Sequence, residues 1–195
     1  RRDWLFIGQP GRDSVSAYEI STGKLVNEFF ISSKWSKNKK DNHHVNDPFV
    51  YGDSLFISMF SFSGNWLSEV YDGGVMEIDL ETNEIIGQVI TNKWMPHSIM
   101  RVNGKLTVLN SMEGELWSGS YDLVGKTHGF ARGLDWDGKY YYIGITEHRY
   151  PEKLYGISDN ISMDTGFYIF DPKTKMSKFV GLPKIESIHS LLIKQ

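Results

Sequence analysis

The sequence predicts an all-β protein, a β-propeller of four-stranded antiparallel blades, and three observations predict it. A strand–turn–strand unit recurs along the chain. A second unit, a strand followed by a glycine turn and an aromatic or β-branched strand, comes before each later copy of the first. No segment sustains a 3.6-residue apolar period over three turns, so almost no helix is expected.

The first unit is read at three places. Ser16-Ala17-Tyr18-Glu19-Ile20-Ser21-Thr22-Gly23-Lys24 leads into an apolar strand, Leu25 to Ile31. Gly74-Val75-Met76-Glu77-Ile78-Asp79 with the turn Leu80 to Glu84 leads into Ile85 to Ile90. Gly166-Phe167-Tyr168-Ile169-Phe170-Asp171 with the turn Pro172 to Lys175 leads into Met176 to Val180. The second unit has Gly52-Asp53, Asn103-Gly104 and Asp137-Gly138 at its turns, dipeptides that supply the positive φ of a tight hairpin.

Assembled, these units give four-stranded meanders at roughly 43–90, 96–126 and 129–180. Residues 4–31 hold three strands without an inner one, and Ser187 to Ile193 form a single terminal strand. Two architectures stay open. Residues 1–195 form one domain of four blades closed by the C-terminal strand, which removes exposed edges, or the chain is a fragment of a larger propeller. A start at Arg1-Arg2-Asp3 with no Met reads as a processed or trimmed piece of something longer. Three long insertions are expected as surface loops, Ser32–Asn42, Ser61–Tyr71 and Glu147–Asp164, and loops of this length in a β-domain often carry function.

Composition narrows the function classes. Among 195 residues the formal net charge is -3, which gives no electrostatic footprint for nucleic acid or an anionic membrane. No run of 18 apolar residues offers a membrane span, so a soluble protein is expected, with the cytoplasm favoured. There is no cysteine, which excludes disulfides, thiolate metal sites and cysteine nucleophiles and leaves the redox compartment open. The Lys34, Lys37, Lys39, Lys40 cluster reads as a solvated loop. No Gly-x-Ser-x-Gly elbow, phosphate loop or dinucleotide fingerprint occurs.

Chemistry is expected where inner strands begin. His44, His97, His128 and His189 each stand at or just before a predicted innermost strand, so they are candidate ligands of a divalent metal. Asn46, Asp47 and Glu186 are candidate oxygen ligands. Arg132, placed like His97 on another inner strand, suits a carboxylate or phosphate. Trp66 and Trp35, on predicted loops, are candidate ligand contacts, while the remaining tryptophans read as packing between blades.

The order of motifs resembles a known family. Met95-Pro96-His97-Ser98, Leu109-Asn110-Ser111 with Gly114-Glu115-Leu116, and Gly129-Phe130-Ala131-Arg132-Gly133-Leu134 are similar to a bacterial family of propeller proteins described as a domain of unknown function. His44-Val45-Asn46 matches an upstream element, and the similarity covers roughly residues 43–180. The resemblance implies the propeller fold and no assigned activity. Members of that family carry a further His-containing inner strand ahead of residue 1, whose place Ile188-His189-Ser190 is the candidate to take.

Three functional readings follow. The first is a binding module holding a small polar or anionic ligand, such as a carbohydrate, with Arg132, His97, His44, Asn46 and Trp66 as contacts. The second is a metal-dependent hydrolase, lactonase or lyase using the His cluster. The third is a scaffold for a partner protein across the flat face.

Overall fold

A computed structural model of the chain describes residues 3–148, 151–154 and 160–194. Of the expected Glu147–Asp164 insertion, residues 149–150 and 155–159 lie outside the described residues. The chain divides into two compact units, Arg1–Ile99 and Met100–Gln195.

Unit 1 begins with three strands, β1 (Trp4–Gln9), β2 (Ser14–Glu19) and β3 (Leu25–Phe30), in one antiparallel sheet of order β1-β2-β3. The helix α1 (Lys34–Asn38) follows, within the first expected insertion. A second sheet holds β4 (Val45–Tyr51), β5 (Ser54–Met59), β6 (Gly73–Asp79) and β7 (Ile85–Lys93) in sequential order. Val15, Ala17 and Phe29 of the first sheet pack with Leu55, Ile57 and Ile78 of the second. The middle strand β5 is buried on both faces over most of its length, which is why its sequence runs largely apolar, whereas β2, buried over its first four residues, keeps small serines between Val15 and Ala17.

The strand β8 (Pro96–Val102) starts in unit 1 and runs into unit 2. It belongs to a sheet of order β11-β10-β9-β8, with β9 (Lys105–Asn110), β10 (Glu115–Ser118) and β11 (Asp122–Lys126). The last sheet is β12 (Phe130–Trp136), β13 (Tyr141–Thr146), β14 (Gly166–Phe170) and β15 (Ser177–Gly181). Leu109 and Leu116 of the preceding sheet form one core with Ile143 and Phe170 of the last. These sequential four-stranded meanders are the blades of a β-propeller. They span 45–93, 96–126 and 130–181, close to the expected meanders. Among the described residues, helix apart from α1 is confined to 3-10 turns of three residues. Among the described residues no helix is long and apolar enough to cross a membrane.

The hairpin turns follow from their residues. At Asn103-Gly104 the φ values are 49° and 84°, the paired positive values of a two-residue turn between β8 and β9.

Two innermost strands bulge at equivalent places. Between the pairs Val45↔Met59 and Pro48↔Ile57, Asn46 and Asp47 share one opposing residue. Between Ala131↔Ile145 and Leu134↔Ile143, Arg132 and Gly133 do the same. Gly144 stands opposite the second bulge, where a Cβ would lie 2.1 Å from the Arg132 carbonyl oxygen.

The C-terminal stretch departs from the expected closing strand. Among the described residues the β1-β2-β3 sheet has three strands, and residues 186–194 join no ladder. Their polar contacts go to side chains and isolated carbonyls instead. The Ile193 N–H donates to Asp135 Oδ2 at 2.5 Å, and the Thr146 and Thr165 hydroxyls donate to the Glu186 carbonyl. Gly133 and Gly144 make room for this stretch. A Cβ on the first would lie 3.0 Å from the Leu191 nitrogen, and on the second 2.8 Å from the Ile188 side chain.

Candidate functional site

The residues leading into β4 place an imidazole in a fixed orientation. His44 has φ 50°, a left-handed conformation unusual for a side chain of this size. Asp41 holds it there. One carboxylate oxygen accepts the His44 backbone N–H at 2.9 Å, and the other accepts from Nδ1 at 2.5 Å. With its hydrogen on Nδ1, the neutral ring keeps a lone pair on Nε2. The His44 side chain is 22% exposed, and Nε2 has no protein partner among the described residues.

Aromatic rings surround that imidazole. The Phe60 centroid lies 4.1 Å from the His44 ring and the Trp66 centroid 4.5 Å from it. The Trp66 indole N–H donates to the Asp41 carbonyl at 3.0 Å, so the loop carrying Trp66 is pinned to the loop carrying Asp41. His97 meets the same Phe60 edge-on at 5.5 Å. It is buried, and its Nδ1 lies 2.9 Å from the Met95 carbonyl. His44, Trp66 and His97 are therefore gathered around Phe60.

Asp72 anchors the Trp66 loop at its other end. It accepts from the Ser61 hydroxyl at 2.6 Å and from the Ser63 N–H at 3.1 Å. Burial pushes this carboxyl up, and the hydrogen bonds from Ser61 and Ser63 outweigh it, leaving Asp72 below the usual carboxylate range. Asn46 sits in the β4 bulge and donates to the His44 carbonyl at 3.3 Å, a supporting contact to the backbone.

Of the other sequence candidates, Arg132, His128 and His189 belong to unit 2 and Trp35 to unit 1. Arg132 is half-buried in the β12 bulge of unit 2. His128 is exposed, with Nδ1 3.2 Å from the Asn160 carbonyl. His189 is exposed, with Nε2 3.2 Å from Ser187 Oγ. Trp35 lies in α1, held between the Arg12 guanidinium at 4.7 Å and the Lys39 ammonium at 3.8 Å. Its indole N–H donates to the Gly11 carbonyl. Among the described residues no group of three or more His, Asp and Glu side chains is set to hold a metal ion.

Three further features centre on residues outside the sequence candidates. His43 is buried and bonded to Ser32 and Ser61, residues distant along the chain. Glu113 and Glu115 share the Asn110 amide, which donates to both carboxyl groups. His148, also buried, lines a cavity of about 310 Å³ with Glu147, Glu186 and Ser187. Spacing along a turn or loop could have suggested the glutamates, whereas nothing local marks the two histidines.

Comparison with known proteins adds the family. A profile described as Domain of unknown function (DUF4915) matches residues 40–188, most of the chain. The chain belongs to this family. No curated protein matches the sequence. Among solved structures, a chain of a nidogen/laminin complex is similar at TM-score 0.58 and 9% identity, over 91% of this chain and 61% of that one. The computationally designed Ika8 protein is similar at TM-score 0.51 and 9% identity, over 100% of this chain and 64% of that one. The DUF4915 chain thus spans about six tenths of the length of each. At this identity the likeness is one of fold alone.

Proposed function

We propose that this DUF4915 protein is a binding module that takes a small polyhydroxyl ligand of the carbohydrate type at the His44–Trp66 surface of unit 1. The observation that supports it is the pair of hydrogen bonds that His44 donates to Asp41, which occupies Nδ1 and leaves the Nε2 lone pair beside aromatic rings. A hydroxyl donates to that lone pair, and the apolar C–H face of a sugar ring packs on an indole. A few oriented polar groups set in aromatic surface are what small-ligand sites are made of. Exposed Leu67 and Val70, on the same loop as Trp66, extend the apolar margin.

The test is calorimetric titration of an oligosaccharide panel into wild type, Trp66→Ala and Asp41→Asn. Asparagine at 41 presents an N–H₂ to Nδ1 and drives the imidazole to the opposite tautomer, so Nε2 donates instead of accepting. Saturable binding to at least one glycan, weakened about tenfold or more in both variants, is expected. Absence of binding across the panel, or binding that both variants leave unchanged, overturns the reading.

A further inference from the structure

Ser32 and His43 form a pair that the proposed binding surface does not use. Ser32 Oγ lies 2.7 Å from His43 Nε2, and His43 Nδ1 lies 2.9 Å from the Ser61 carbonyl oxygen. The polarity of this chain is fixed by its last member. A carbonyl only accepts, so Nδ1 carries the hydrogen. The Nε2 of the neutral ring is then a lone pair, and the Ser32 hydroxyl must donate to it. A serine whose proton is already directed at an imidazole, with that imidazole oriented by a third acceptor, is the arrangement that activates a hydroxyl for attack.

The surroundings hold the pair rigid. The His43 ring is 2% exposed, and its backbone N–H donates to Asp13 Oδ1 at 2.8 Å, within a carboxylate that also takes the Asn42 N–H. The Lys34 N–H donates to Ser32 Oγ at 3.2 Å, which stabilises negative charge as the proton leaves. Gly64 stands at the ring edge with φ 67°, and a Cβ there would come within 2.9 Å of Nε2.

We propose that Ser32 is a nucleophile for acyl transfer from small esters, with His43 as its general base. Ser32 Oγ bonds the ester carbonyl carbon while its proton passes to His43 Nε2. The ester C–O bond then breaks, and the leaving alcohol takes that proton. Water repeats the sequence on the acyl-serine, giving its proton to Nε2 and releasing the acid as the serine is restored. No oxidant, metal or further reactant is needed. The inference does not depend on the carbohydrate reading, since Ser32 and His43 are not among the residues that carry it.

Two measurements decide it. Wild type and Ser32→Ala are incubated with p-nitrophenyl acetate, quenched in acid and mapped by peptide mass spectrometry, with circular dichroism as the check on folding. The expected result is one acetyl group on Ser32 of the wild type and none on that peptide in the variant. Because the protein has no cysteine, Ser32→Cys carries a single thiol, whose iodoacetamide alkylation is compared with that of Ser33→Cys. An ordinary thiol has a pKa of about 8.5, and a neighbouring imidazole lowers it. Alkylation of Ser32→Cys at pH 6 at least about tenfold faster than Ser33→Cys is expected. A folded wild type that neither carries acetyl on Ser32 nor releases p-nitrophenol faster than Ser32→Ala, or a Ser32→Cys thiol that reacts no faster than the Ser33→Cys thiol, overturns the proposal.

Discussion

Asp47 Oδ2 accepts the backbone N–H of Ser98 at 2.6 Å, fastening the bulge of β4 to a β8 residue held at φ 58°. The Asp47 N–H in turn donates to the Ser58 hydroxyl at 3.1 Å, so one residue ties its own sheet to the next inner strand. A charge-assisted hydrogen bond in a half-buried setting contributes more than a neutral one. Asp47→Ala is expected to lower stability by about 1.5–3 kcal/mol, with Asp47→Asn costing less. Denaturant titration of the three proteins checks this, and midpoints within error of one another contradict it.

Glu113 gives a pH prediction. Burial and the neighbouring charge of Glu115 raise its pKa, with the Asn110 amide and Lys126 opposing. The folded protein therefore keeps this proton at a pH where the unfolded chain has lost it. The associated stability is present in full below the usual carboxylate range and is lost as pH rises through the folded value. Glu113→Gln, uncharged and still able to accept from Asn110, should be more stable than wild type at pH 7. The difference should close towards pH 4, and thermal melts at both values read it directly.

His148 has the opposite sign. Burial lowers its pKa, and Glu152 offsets only part of the shift. An unfolded imidazole takes up a proton near pH 6.5, before the folded one does. In that window the unfolded chain binds more protons, so stability is full above about pH 6.5 and falls as pH drops towards the folded value. His148→Gln should flatten this part of the stability profile between pH 7.5 and 5. A profile as steep as wild type in the variant would assign the slope to other groups.

Much of this fold could be read along the chain because its signals are local. Asn103-Gly104 sets a turn by its own backbone preference, and β6 with β7 alternate or run apolar around a compact turn of polar residues. The bulges at Asn46-Asp47 and Arg132-Gly133 were not legible, since a bulge is a property of two strands in register. The four strand-leading histidines were visible, yet their partners were not. His44 depends on Asp41, three residues away, which a loop reading treats as a solvated charge. His43 depends on Ser32 and on the carbonyl of Ser61, 11 and 18 residues away, joined only by the folding of two insertions. The terminal stretch departs from the expected strand for a related reason. Its apolar pattern is real, but Ile188 is buried against Gly144 and the backbone of Ser190 and Leu191 against Gly133, not through a ladder.

That last feature sets how the chain can vary. Positions 133 and 144 are notches cut to the outline of a segment more than forty residues further on, so their tolerance is decided by the tail as well as by their own sheet, whose Arg132 carbonyl a Cβ on Gly144 would also meet. A methyl group at either would press on the segment, at 133 on its backbone and at 144 on the Ile188 side chain, in addition to the strain it puts on β12. In a complete map of tolerated substitutions, 133, 144 and 188–193 would group as one mutational block. Sequence distance would hide that block, and drift at one end would be matched by drift at the other.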